Sequence, residues 1–143
     1  MIALTSTIFF YQNIISGQPL YVSFDFQLGN CDYWQGPDGN WYRHVAQKAT
    51  FDKAREICFK DTPGAQLMAI KSQETADFLE KFIKAQGLEG QEGRYWLGAT
   101  DEVREGNFTW IDGYGNYENL TFTSWADNEP NDHGMGEDCA TTV

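Results

Sequence analysis

Basic residues are scarce: ten Lys and Arg stand against twenty-one Asp and Glu in 143 residues, a formal net charge of −11. Nucleic acids and anionic membrane surfaces are recognised through a basic face, so this composition supports neither as a partner. No apolar run approaches the ~18–20 residues of a membrane-spanning helix. There is no internal repeat, collagen triplet, coiled-coil heptad or low-complexity tract. An oligomer is compatible with the chain, but nothing in these residues encodes one. Cysteine occurs only as Cys31, Cys58 and Cys139, an odd count that leaves at least one without an intrachain mate. With no C-x-x-C and only two distant histidines, His44 and His133, a zinc site of the usual spacing is excluded.

What is abundant is aromatic: ten Phe, seven Tyr and five Trp make up 15% of the chain. Acidic disordered chains lack such residues and cannot bury enough apolar surface to offset chain entropy, so this chain folds. Its length suits one domain, assigned to residues 21–143. Residues 1–20 contain the short apolar segment Met1–Phe10, followed by the small residues Ser16 and Gly17, as a signal peptide would. The absence of Lys or Arg at its start also leaves a strand or the end of an upstream segment as readings. Asn107-Phe-Thr109 and Asn119-Leu-Thr121 are sequons that would carry glycans on a secreted protein.

Local patterns indicate an α+β chain. Alternation over residues 21–26 and the β-rich run Trp41–Val45 predict strands. Thr50 is a helix cap, and Phe51, Ala54 and Cys58 fall on one helical face, turning Cys58 inward. Leu67–Ile70 predicts a short buried strand. Ser72 caps a second helix with Ala76, Leu79, Phe82 and Ile83 as its apolar stripe and Gly87 as its stop. Tyr95–Ala99 and Asn107–Ile111 predict further strands. From Gly113 to Gly136 the chain is rich in Gly, Asn, Asp and Pro, which predicts a long irregular loop anchored by Trp110, Tyr114, Tyr117, Phe122 and Trp125.

Asp127, Glu129, Asp132, Glu137 and Asp138 place five carboxylates and two Asn amides within twelve residues, without one Lys or Arg. Like charges so close repel unless a cation neutralises them, and calcium takes six to eight such oxygens. An EF-hand does not fit, because Asp132 stands where its glycine is needed and Pro130 interrupts the loop. A disordered acidic loop is the competing reading. Asp101 and Glu105, four residues apart, form a second acidic group that could converge with the first.

Taken together, Ala54…Cys58, Ala65–Ile70, Ser72…Glu74…Phe78-Leu79, Trp96-Leu-Gly-Ala99, Glu105-Gly-Asn-Phe-Thr-Trp110, Trp125, Glu129-Pro-Asn131 and Glu137-Asp-Cys139 resemble the C-type lectin domain over residues 31–143. The loop is similar to that of the mannose-binding collectins. This resemblance implies a C-type lectin-like fold of two helices, small antiparallel sheets and a calcium-binding loop, with the sugar bound directly to calcium. Glu-Pro-Asn implies sugars of mannose type: mannose, N-acetylglucosamine and fucose. It implies Glu129, Asn131 and Glu137 as ligands of the sugar-site calcium, with His133 beside the sugar. Asp101, Glu105, Asp132 and Asp138 are implied for an adjacent calcium, and a cis Glu129–Pro130 peptide for the loaded form. Ligating carboxylates must be ionised, so acidification is expected to release ion and sugar.

The family pattern continues beyond Glu-Asp-Cys with a Trp-Asn-Asp strand and two cysteines, so the resemblance implies a chain truncated at its C-terminus, with the mates of Cys58 and Cys139 missing. Trp41 stands near the position of the partner expected for Cys31. The function expected is calcium-dependent glycan binding by a secreted, non-enzymatic module. A lectin-like domain that binds a protein ligand is the alternative. Glycoside hydrolysis by Glu129 and Glu137 is disfavoured, because calcium holds carboxylates ionised and a general acid must be protonated.

Overall fold

The computed structural model describes residues 7–12, 33–61, 64–87, 94–132 and 136–142. In chain order its elements are β1 (Thr7–Gln12), β2 (Trp34–Gln35), β3 (Trp41–Val45), α1 (Phe51–Asp61), β4 (Gln66–Leu67), α2 (Gln73–Ala85), β5 (Tyr95–Thr100), β6 (Thr109–Ile111), β7 (Tyr117–Asn119) and β8 (Cys139–Thr141). The strands join in the order β2-β3-β1-β5-β6-β7, with β4 also on β1 and β8 also on β5. The β1–β5 pairing is parallel and the other strand pairs are antiparallel. Two helices on this sheet make the α+β fold that the sequence implied.

β5 separates two apolar clusters, and its period-two alternation decides which side chain joins which. Tyr95, Leu97 and Ala99 enter the cluster built on α2 with Tyr42, Met68, Phe82 and Trp110. Trp96 packs on the other, built on α1 with Ala54, Cys58, Leu67 and Ile111. The Trp96 indole N–H donates to Ala49 O at 2.9 Å, so its polar edge is satisfied in that position. Gly98 lets β4 approach closely: its N–H donates to Met68 O at 2.8 Å, and a Cβ there would lie 3.0 Å from Leu67 O.

The helices follow from their sequences. In α1 the Ala54 N–H donates to Thr50 O at 2.9 Å, and Phe51, Ala54 and Cys58 are buried as their spacing predicts. In α2 Ser72 Oγ accepts from the Thr75 N–H at 3.2 Å, and Gly87 ends the helix at φ +66° with its N–H on Lys84 O. Thr75 rather than Ala76 takes the buried position beside Leu79 and Phe82. It can do so because its hydroxyl hydrogen-bonds Ser72 Oγ at 3.1 Å.

Two expectations need correction. The predicted strand Leu67–Ile70 is reduced to Gln66–Leu67 and a Met68–Leu97 bridge, because the chain must turn into the Ser72 cap. The predicted irregular loop from residue 113 contains β7, an exposed strand with none of the apolar alternation that marks a buried one. Thr7–Gln12, for which a leader, a strand and an upstream segment were all open, is paired as β1. The strand predicted over residues 21–26 lies outside the described residues, as does Cys31. No helix among the described residues is long and apolar enough to cross a membrane.

Candidate functional site

The site begins where β5 ends. Asp101, the next residue after the strand, is 4% exposed. Its N–H donates to Asp138 O at 3.1 Å, extending the β5–β8 ladder by one rung, and its carbonyl accepts from the Arg104 N–H at 2.9 Å. Carboxylate Oδ2 accepts from the Gly106 N–H at 2.9 Å, closing the turn of residues 101–106, which glycine completes at φ +74°. The other oxygen, Oδ1, is buried and has no hydrogen-bond partner among the described residues. A buried acceptor left unpaired costs about 1–3 kcal/mol.

Around this carboxylate the chain gathers like charge. Glu105 is held above the ordinary glutamate range, first by the charge of Asp101, then by Asp132, with slight desolvation and Asp138 contributing, though its side chain is exposed. Acids from two distant stretches of sequence therefore share one field. None of Asp101, Glu105, Asp132 and Asp138 enters an ion pair among the described residues. Nor do any three His, Cys, Asp or Glu side chains among those residues stand close enough together to hold a metal ion as they are. Neighbouring carboxylates without a counter-ion repel, and that repulsion opposes the close approach a coordination sphere demands.

The acidic loop has its own order. Asp132, at φ +48°, accepts from the Glu137 N–H at 3.1 Å through Oδ1, which spans the stretch containing His133, itself outside the described residues. Asn131 Nδ2 donates to Glu129 Oε1 at 2.9 Å, and the Glu129–Pro130 peptide is cis. Glu129, Asn131 and Glu137 are exposed and Asp138 is half-buried. Asp127, which matches no expected ligand, is exposed. Gly136 adopts φ +97°, and a Cβ on it would lie 3.2 Å from Asp138 Oδ2.

Aromatic residues hold the approach to this loop. Trp110 is buried, and Trp125 packs on Phe108 with ring centroids 5.0 Å apart. Tyr114 meets Phe59 edge-on at 5.5 Å, tying the β6–β7 turn to the end of α1. The structure thus brings Asp101, Glu105, Asp132 and Asp138 into one neighbourhood and pairs Glu129 with Asn131. Sequence spacing could not show the burial of Asp101. The one available sign was its position directly after a buried strand.

Residues 47–142 match the family model of the Lectin C-type domain. The chain belongs to the C-type lectin domain family. Among relatives of this C-type lectin domain are echinoidin of Heliocidaris crassispina, 29% identical over 78% of this chain and 78% of that protein, and hepatic lectin of Gallus gallus, 30% identical over 75% and 46%. C-type mannose receptor 2 of Homo sapiens is 32% identical over 76% of this chain and 7% of the receptor. The chain therefore spans most of the first relative, under half of the second and a small part of the third.

Proposed function

We propose that this domain is an extracellular, non-enzymatic carbohydrate-binding module that takes sugars of mannose type through calcium. The observation that carries the reading is the buried, unpartnered Oδ1 of Asp101, set among Glu105, Asp132 and Asp138 with no ion pair among them. A hard divalent cation is the group that such oxygens fit. Asp101, Glu105, Asp132 and Asp138 would hold one calcium ion, and Glu129, Asn131 and Glu137 would contribute to a second. Calcium, when bound, supplies coordination positions for the vicinal hydroxyls of a sugar. Lectin relatives and the two sequons support the glycan ligand and the location outside the cell.

The residues of the chain supply the selectivity. Asn131 Nδ2 donates to Glu129 Oε1 at 2.9 Å, which holds the two side chains together. A vicinal diol can take over both roles, since each hydroxyl donates to the carboxylate and accepts from the amide. Reversing the pair to Gln and Asp reverses the donor and acceptor pattern. The contact is exposed, so single-site affinity is weak and useful avidity needs several copies.

Retention on a mannan column in calcium, lost on chelation, is the expected result. Retention that survives chelation would overturn the reading. The double substitution Glu129→Gln with Asn131→Asp should move elution preference from mannose toward galactose. Unchanged preference would remove the assigned roles of this pair.

A further inference from the structure

Strand β7 carries a half-exposed aromatic that neither the core nor the proposed sugar site uses. Tyr117 is 49% exposed, and the strand it begins is exposed throughout. Among the described residues β7 is the last strand of the sheet order, paired to β6 on one side only. Its register sets Ile111 opposite Tyr117, Trp110 opposite Glu118 and Thr109 opposite Asn119. Alternation along a strand puts Tyr117 and Asn119 on one face and Glu118 on the other, where Glu118 is paired to Lys71 at 2.5 Å. Asn119 and Thr121, the two defining residues of a sequon, are both exposed, and neither side chain makes a hydrogen bond among the described residues.

We propose that Asn119 is an N-glycan acceptor and that the Tyr117 ring is the platform on which the first N-acetylglucosamine of that glycan rests. In the transfer, Asn119 Nδ2 bonds to C1 of the reducing-end sugar of a lipid-pyrophosphate-linked oligosaccharide. The C1–O bond to the pyrophosphate breaks, the lipid pyrophosphate leaves with the electron pair, and the amide proton passes to the transferase's base. The attached sugar leaves the acceptor two residues from Tyr117 on the same face, where the apolar face of a pyranose covers ring surface that is otherwise wet. The glycan also shields an edge that no other described strand pairs with, and open edges are the usual site of unwanted strand pairing. The other sequon is built differently. Thr109 Oγ1 is already engaged with Thr100 O at 3.2 Å, Phe108 packs on Trp125, and Glu105 rather than an aromatic precedes Asn107 by two.

The test is secretion of the chain from a glycosylating eukaryotic cell behind a supplied leader, followed by site mapping by mass spectrometry and thermal melts. It is independent of calcium and of sugar binding. Occupancy at Asn119 is expected to exceed that at Asn107. Asn119→Gln should lower Tm by about 2–4 °C relative to the glycosylated chain. Trimming the glycan to a single N-acetylglucosamine should keep that increment, and Tyr117→Ala should abolish the difference between glycosylated and Asn119→Gln forms. An empty Asn119 in secreted protein overturns the acceptor assignment. An increment that persists in Tyr117→Ala, or that vanishes when only the outer sugars are trimmed, overturns the platform.

Discussion

Replacing Asp101 by Asn should reverse the order of stability between wild type and variant when calcium is added. The substitution keeps an oxygen for the Gly106 N–H, now 2.9 Å from Oδ2, and exchanges the buried, unpartnered Oδ1 for an amide group. It also removes one of the charges that act on Glu105. In calcium-free buffer the wild type bears the orphaned acceptor, at about 1–3 kcal/mol, whereas an amide N–H in its place is a donor set among the carboxylates that share the field of Glu105. At about 3 °C per kcal/mol for a domain of this size, Asp101→Asn should melt about 3–9 °C higher. Calcium at a thousandfold excess over Kd adds about 4.1 kcal/mol to a protein that binds it only when folded, or about 12 °C. The variant forfeits that increment and becomes the less stable of the two. Differential scanning calorimetry with chelator and with calcium measures both arms. Asp101→Ala is the control, because it also strips the acceptor from Gly106 and should lose stability in chelator. If Asn and Ala lower Tm alike without calcium, Oδ1 is not a strained acceptor and the reasoning fails.

Three further outcomes follow from the same structure. Glu105 is held above its ordinary value by Asp101, Asp132 and Asp138, so ionising it costs more in the folded than in the unfolded state. Its own contribution to calcium-free stability should therefore fall as pH rises through the carboxylate range, and Glu105→Gln should raise Tm more at about pH 6.5 than at about pH 3.5. Cys58 and Cys139 stand as thiols, and burial pushes each up to about 12. Both should resist a thiol reagent at pH 8 in the native state and react on unfolding; prompt native labelling would contradict their burial. Gly113 lies where a Cβ would fall 2.7 Å from Ala65 O and 3.4 Å from Phe59. Gly113→Ala should cost about 1–3 kcal/mol in denaturant titrations, whereas a value near zero would mean that the β6–β7 turn shifts freely.

How much of this was legible depended on whether a residue's role is local. The α2 cap at Ser72, the inward turn of Cys58 and the buried β5 follow from spacing, because helix and strand periods act within a few residues. β7 was not legible. Tyr-Glu-Asn has no buried member to set a period, and the strand exists because Trp110 and its neighbours offer it a register. Thr75 displaced Ala76 from the expected stripe because a hydroxyl bond to Ser72 made a polar residue acceptable inside. At the site, composition marked the acidic loop, and family resemblance singled out Asp132 as an expected ligand and Asp127 as matching none. That Asp101 is buried with one oxygen orphaned is a tertiary property, produced where β5, β8 and the Gly106 turn meet.

The hydrogen bond from Asp101 N–H to Asp138 O has a consequence for how this surface can change over evolutionary time. It pins the ends of the two acidic stretches to the sheet, so the distance between them is fixed by strand pairing and not by the segment that joins them. The closure entropy of that segment is absorbed when the strands pair, and it grows only slowly with length. Insertions between Asn119 and Trp125 can therefore proceed without disturbing the spacing of the pinned acids. The rung acts as a clamp that separates the part of the domain able to vary from the part that must stay in register.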